Sequence, residues 1–103
     1  MRMRNYKCDT YFGKRGSVTF LVLTRGILSW FKPVRFSFCL YDAIDKADKQ
    51  VVKFIVSQIC GTVEVKEESE NFIDIRGWAS FYRAREAYEV IKLELDNPTF
   101  SKR

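Results

Sequence analysis

Histidine is absent from the chain. With it goes the one side chain whose unperturbed titration falls near neutrality, and with that the usual zinc sets and the Ser-His and Cys-His nucleophile pairs. Cysteine is sparse. Cys8, Cys39 and Cys60 are odd in number, widely spaced and form no C-x-x-C pair, so no disulfide framework is expected and a reducing, intracellular compartment fits best. Long apolar runs are missing too. The most continuous, Val18 to Leu23 with Thr19 inside it, is far short of the roughly 20 residues that cross a bilayer, so no membrane partner is expected. The N-terminus, Met1-Arg-Met-Arg-Asn-Tyr-Lys7, has no apolar h-region of a secretory signal; its basic, acid-poor character only hints at a presequence for a mitochondrion or chloroplast. Together these gaps point to a protein that catalyses nothing and needs no cofactor.

What is present is enough apolar material, 47% of 103 residues, for one domain with one core. The net charge of +5 hides an asymmetry. Residues 1–41 carry eight basic residues against the single acid Asp9, net +7, whereas the remainder is net −2. Cations concentrated in this way mark a polyanion-binding face, because neutralising phosphates releases condensed counterions. The alternative is an ordinary solvated surface.

Hydrophobic periodicity orders the elements. Ser17–Leu23, rich in β-branched and aromatic residues, predicts a first strand after the Gly13-Lys-Arg-Gly16 punctuation. Val34–Tyr41 alternates Val34, Phe36, Phe38 and Leu40 against Arg35, Ser37, Cys39 and Tyr41, a half-buried second strand. Asp42 is placed to cap a helix in which Ile44, Ala47, Val51, Phe54, Ile55 and Ile59 turn inward, Asp45, Lys46, Asp48, Lys49 and Lys53 turn outward, and Gly61 is the stop. Thr62–Lys66 and Phe72–Arg76 predict a hairpin joined by Glu67–Asn71. A helix from about Trp78 to Leu93 should place Trp78, Phe81, Tyr82, Tyr88, Ile91 and Leu95 on one side, as core rather than as a stacking platform. The expected fold is α+β, a four-stranded antiparallel sheet with both helices on one face in the order ββαββα. An RRM-like βαββαβ order is the weaker alternative, since the chain ends in a helix with no strand after it.

On that frame Arg35, Ser37, Tyr41 and Thr19 share the uncovered sheet face, and Lys14, Arg15, Arg25 and Lys32 lie in the loops bracketing the two strands, able to reach phosphates. Trp30 and Phe31, beside Lys32, either stack on an unpaired base or close the end of the core. Leu21 and Leu23 also point to the uncovered face. They meet a partner protein, pack on a sugar or base, or are covered by Ile27–Phe31.

From Gly13 to about residue 93 the chain resembles the LAGLIDADG homing endonucleases. Arg15-Gly-Ser-Val18 is similar to the end of the family's motif helix, Phe36-Ser-Phe-Cys-Leu40 to its second strand, Gly61-Thr-Val63 to the turn into its second strand pair, and Phe72-Ile-Asp-Ile75 followed by Trp78–Ile91 to its last strand and helix. The resemblance implies domain limits of 13–95, between a basic segment 1–12 and a tail 96–103. It also implies a departure. The family's catalytic carboxylate precedes the Gly-Ser pair, and here that position is Arg15, a permanent cation that cannot ligate Mg²⁺. Asp9 is six residues too early to replace it, and Cys8–Phe12 is too bulky and polar for the family's close helix pairing. The implied function is an acatalytic LAGLIDADG-like protein that binds nucleic acid, structured RNA in preference to DNA, such as ribosomal or intron RNA. Neighbouring proteins of a ribonucleoprotein would sit against Leu21 and Leu23. The competing readings are an Mg²⁺-dependent homodimeric endonuclease and a protein interaction module.

Overall fold

The computed structural model describes residues 5–24, 33–41 and 46–96. Within them the order is β1 (Asn5–Gly13), β2 (Gly16–Thr24), β3 (Val34–Tyr41), α1 (Lys46–Cys60), β4 (Val63–Ser69), β5 (Phe72–Ala79) and α2 (Phe81–Asp96). All the strands join one antiparallel sheet in the order β1-β2-β3-β5-β4. The architecture is α+β with an antiparallel sheet and two helices, as expected, but the sheet has five strands and not four. The extra one is β1. Along Asn5–Gly13, Lys7, Asp9 and Tyr11 stand opposite Val22, Phe20 and Val18, and Gly13-Lys-Arg-Gly16 closes a two-residue hairpin in which Gly13 pairs Gly16. The stretch for which the LAGLIDADG resemblance implied a helix is therefore a strand.

Both helices cover the same face. Val18, Phe20 and Val22 of β2, Phe36, Phe38 and Leu40 of β3, and Ile73 and Ile75 of β5 lie side by side in the register and are all buried. Above them lie Val52, Ile55 and Val56 of α1 and Phe81, Ala84, Ala87, Tyr88, Ile91 and Leu95 of α2. An aromatic cluster holds the middle: the Phe20 ring stacks on Phe38 and on Tyr88, each at 5.0 Å between centroids, and Phe36 tilts against Phe38 at 5.4 Å.

The helix termini follow local chemistry. Gly61 adopts φ 90°, and its N–H donates to the Ser57 carbonyl at 3.0 Å, so α1 stops where the left-handed residue permits it. Ser80 caps α2, its Oγ accepting from the Arg83 N–H at 3.2 Å. The inward face of α1 is rotated from the expected one. Phe54, expected inside, is 56% exposed, and Lys49, expected outside, is buried. The Lys49 ammonium donates to the carbonyls of Ser69 at 2.6 Å and Glu70 at 3.2 Å and lies 3.6 Å from the Glu68 carboxylate, so it ties the helix to the β4–β5 turn. The expected Asp42 cap and inward Ile44 and Ala47 lie outside the residues and side chains described.

Burial raises two titrations on the covered side. The Cys60 thiol, whose Sγ faces the Arg83 carbonyl at 3.8 Å, is pushed up to about 11, and the Tyr88 hydroxyl, with Asp9 and Glu89 nearby adding to the effect, to about 12. In both, the charged form is the deprotonated one, so the unfolded chain ionises first as pH rises. Their contribution to stability is complete below the ordinary thiol value of 9 and is lost as pH climbs through about 11 and about 12. Each group contributes at most about 1.4 kcal/mol per pH unit, less where solvent screens the partly exposed thiol. Chemical denaturation across the alkaline range should show this decline, and Tyr88→Phe should flatten its upper part; a decline unchanged in that variant would assign it to other groups.

Candidate nucleic-acid interface

Among the described residues no helix lies on the second sheet face. Strand alternation sends there the residues between the core positions, and the register sets them in cross-strand rows. One row joins Tyr41 to Phe72, whose rings tilt together at 5.2 Å. The next sets Thr10 beside Thr19, with 3.1 Å between hydroxyls, then Cys39 and Asp74. A third joins Cys8, Leu21, Ser37, Arg76 and Glu64. The last pairs Arg35 with Trp78. The Cys39 thiol is raised by burial, which leaves it a weak nucleophile.

The last two rows form the most built part of this face. The Arg35 guanidinium lies 5.6 Å from the Trp78 ring centroid, and the indole is still 60% exposed. Arg76 is held from behind: its Nη2 donates to Asp74 Oδ2 at 3.0 Å and its Nε to the same oxygen at 3.2 Å, while Asp74 is only 4% exposed. That fork fixes the guanidinium, and the carboxylate in turn raises its titration further. A β-bulge between Val65 and Glu67 inserts Lys66 as an extra residue and re-aims it. Arg35, Glu64, Lys66, Arg76, Gly77 and Trp78 then line a concave site of about 150 Å³. Gly77 makes this possible from below. A Cβ there would come within 2.9 Å of the Phe36 ring and 3.1 Å of Val63, so only glycine lets β5 run flat over the core between Arg76 and Trp78.

The residues expected from the sequence to bind nucleic acid are divided by this geometry. Thr19, Arg35, Ser37 and Tyr41 share the uncovered face. Lys14 and Arg15 do not join Arg35. They form the β1–β2 turn at the opposite end of the sheet, about 25 Å away along the strands at roughly 3.4 Å per residue. Their backbone N–H groups donate to the end of α2, Lys14 to Asp96 Oδ1 at 3.1 Å and Arg15 to the Leu95 carbonyl at 3.1 Å. The Tyr11 hydroxyl also donates to Asp96, whose carboxyl is held below its usual range by these bonds. Cations at a helix C-terminus are favoured by its dipole, which gives this pair a structural account. Arg25, Trp30 and Lys32 lie outside the described residues, as does the Leu23 side chain; Leu21 is half-buried between Cys8 and Ser37.

Trp78, Arg76 and Lys66 were not among the residues expected to bind. Helical spacing places Trp78 and Tyr82 on the inward side of the last helix, yet that helix begins at Phe81, and Trp78 and Tyr82 are both exposed. The alternation Ile73, Ile75, Gly77, Ala79 against Phe72, Asp74, Arg76, Trp78 continues the strand through Ala79, and Ser80 is the capping residue that marks the boundary.

Among the described residues no three His, Cys, Asp or Glu side chains cluster as metal ligands, and no helix is long and apolar enough to cross a membrane. Comparison with protein-family models, with curated proteins and with solved structures finds no match for the chain.

Proposed function

We propose that this protein binds nucleic acid, RNA in preference to DNA, on the uncovered face of its sheet, and catalyses no reaction on it. The observation that carries the reading is Trp78, a largely exposed indole on a strand, with Arg35 against its ring and Arg76 and Lys66 beside it. An exposed aromatic on a sheet stacks with an unpaired base whatever its sequence, and cations around it take the flanking phosphates. Tyr41 with Phe72 offers a second aromatic surface on the same face. The LAGLIDADG resemblance supports the reading only from β2 onward, because Arg15, at the place of the family's catalytic carboxylate, stands in a hairpin turn and not at the end of a helix. Structured RNA with an unpaired loop, as in a ribosome or an intron, presents both features the site seeks.

Trp78→Ala tests this directly. Stacking on one base is worth about 1–3 kcal/mol, so affinity for a fluorescently labelled RNA hairpin with a single-stranded loop should fall by about 5- to 150-fold with the melting temperature unchanged. Unaltered anisotropy titrations would remove the site. Incubation of the same hairpin and its DNA counterpart with Mg²⁺ should return both uncut.

A further inference from the structure

Among the described residues Glu64 is the one carboxylate lining the concave site, and a carboxylate weakens phosphate binding, so its presence among three cations calls for a role of its own. It stands opposite Arg76 in the β4–β5 register, and Trp78 is two residues beyond Arg76 on the same face. The two are therefore diagonal neighbours, about 7–8 Å apart, a spacing that long and aromatic side chains bridge. A base lying on the exposed part of the Trp78 indole can turn its Watson–Crick edge toward Glu64. The concave site, about 150 Å³, has room for a base.

Resting on the nucleic-acid reading above, we infer that this site selects guanine at one unpaired position, with the Glu64 carboxylate as the reader. An ionised carboxylate only accepts hydrogen bonds and offers two parallel oxygens. Guanine alone among the RNA bases presents two adjacent donors, N1–H and N2–H, along its Watson–Crick edge. Adenine and cytosine set a ring-nitrogen acceptor next to their amine, which repels the second carboxylate oxygen. Uracil's single N–H lies between two carbonyls and is the poorest match. On the guanine ring, O6 is an acceptor adjoining N1–H, which suits a neighbouring cation. Arg76, held by Asp74 at a fixed orientation and directly opposite Glu64, is the cation for that oxygen. Arg35, on the far side of the indole, and Lys66, beyond Glu64 on β4, are left for the backbone phosphates.

The test uses labelled uridine-only oligoribonucleotides and the same strands carrying one central guanine, adenine or cytosine, titrated by anisotropy against the whole chain and against Glu64→Gln. A well-made bidentate contact discriminates by about 1–3 kcal/mol, so the guanine strand is expected to bind about 5- to 150-fold tighter than the uridine strand, with adenine and cytosine strands close to uridine. Glu64→Gln, which exchanges one acceptor for a donor, should remove the guanine advantage with the melting temperature as it was, while the uridine strand, relieved of a carboxylate near its phosphates, should bind no more weakly than before. Equal affinity for the four strands, or a Glu64→Gln loss shared by all of them, would overturn the guanine assignment and leave the binding face standing. Absence of binding to any strand, with Trp78→Ala also without effect on the hairpin, would overturn both.

Discussion

Replacing Phe38 by alanine is expected to cost about 3–5 kcal/mol of unfolding free energy, the range for removing a phenyl ring from a packed core. Phe38 is the residue from which the sheet is organised. It lies on the central strand β3, paired across to Phe20 on one side and Ile75 on the other, and no part of it is exposed. Its ring meets Phe20 at 5.0 Å, Phe36 at 5.4 Å and Tyr88 at 6.5 Å, so one truncation opens a space bounded by two further strands and by α2. Those rings belong to elements that carry other core contacts and cannot all move inward, which places the cost toward the upper end of the range. Domains of this size unfold with only about 5–15 kcal/mol in total, so the variant should show a markedly lower denaturant midpoint. A loss under about 1 kcal/mol would mean that the aromatic cluster is not the centre of the fold.

Where each side of the chain faces was easiest to read from sequence in β2 and β3, because strict alternation has a period of two and admits one choice of buried face. Val18, Phe20 and Val22, and then Phe36, Phe38 and Leu40, are buried as that alternation requires. The Gly61 stop was equally legible, since a left-handed residue after an apolar helical stretch has few other uses. β1 was not. Its stretch carries a lysine, an aspartate and few aliphatics, as an edge strand does when it needs to discourage further pairing, and such a strand looks like a polar segment until its partner is known. In α1, Lys49 defeats a periodicity argument because the ammonium is satisfied by two carbonyls and a carboxylate of a hairpin distant in sequence. The site was legible only in part for a related reason. Charge counting weights the N-terminal third, where Lys14 and Arg15 sit in a turn whose backbone is bonded to the end of α2, and overlooks Arg76, whose charge is nearly cancelled on paper by Asp74 yet is oriented by it in space.

That difference between counting charges and placing them leads to the largest expected effect on binding. The double variant Arg35→Glu, Lys66→Glu should weaken affinity for the labelled RNA hairpin at least 100-fold. Each cation contributes a charge-assisted contact of about 1.5 kcal/mol or more, and reversal also brings a carboxylate against phosphate. The salt dependence should change with it. Two phosphate-seeking cations, Arg35 and Lys66, on a single strand give a slope near −1.4 in log affinity against log salt, at about 0.7 per contact, and reversing both should bring it close to zero. Both side chains lie on the exposed sheet surface, so the fold should be retained, as an unchanged denaturation midpoint would show. Lys14→Glu supplies the comparison. That residue is about 25 Å from Arg35 along the strands, well beyond the roughly 8 Å screening length at physiological salt, so it should lose little. If Lys14→Glu instead weakened binding as much as the double variant, the ligand would follow the basic turn at the end of α2, and the concave site around Trp78 would not be its seat. If neither variant mattered, the face would not bind phosphate at all.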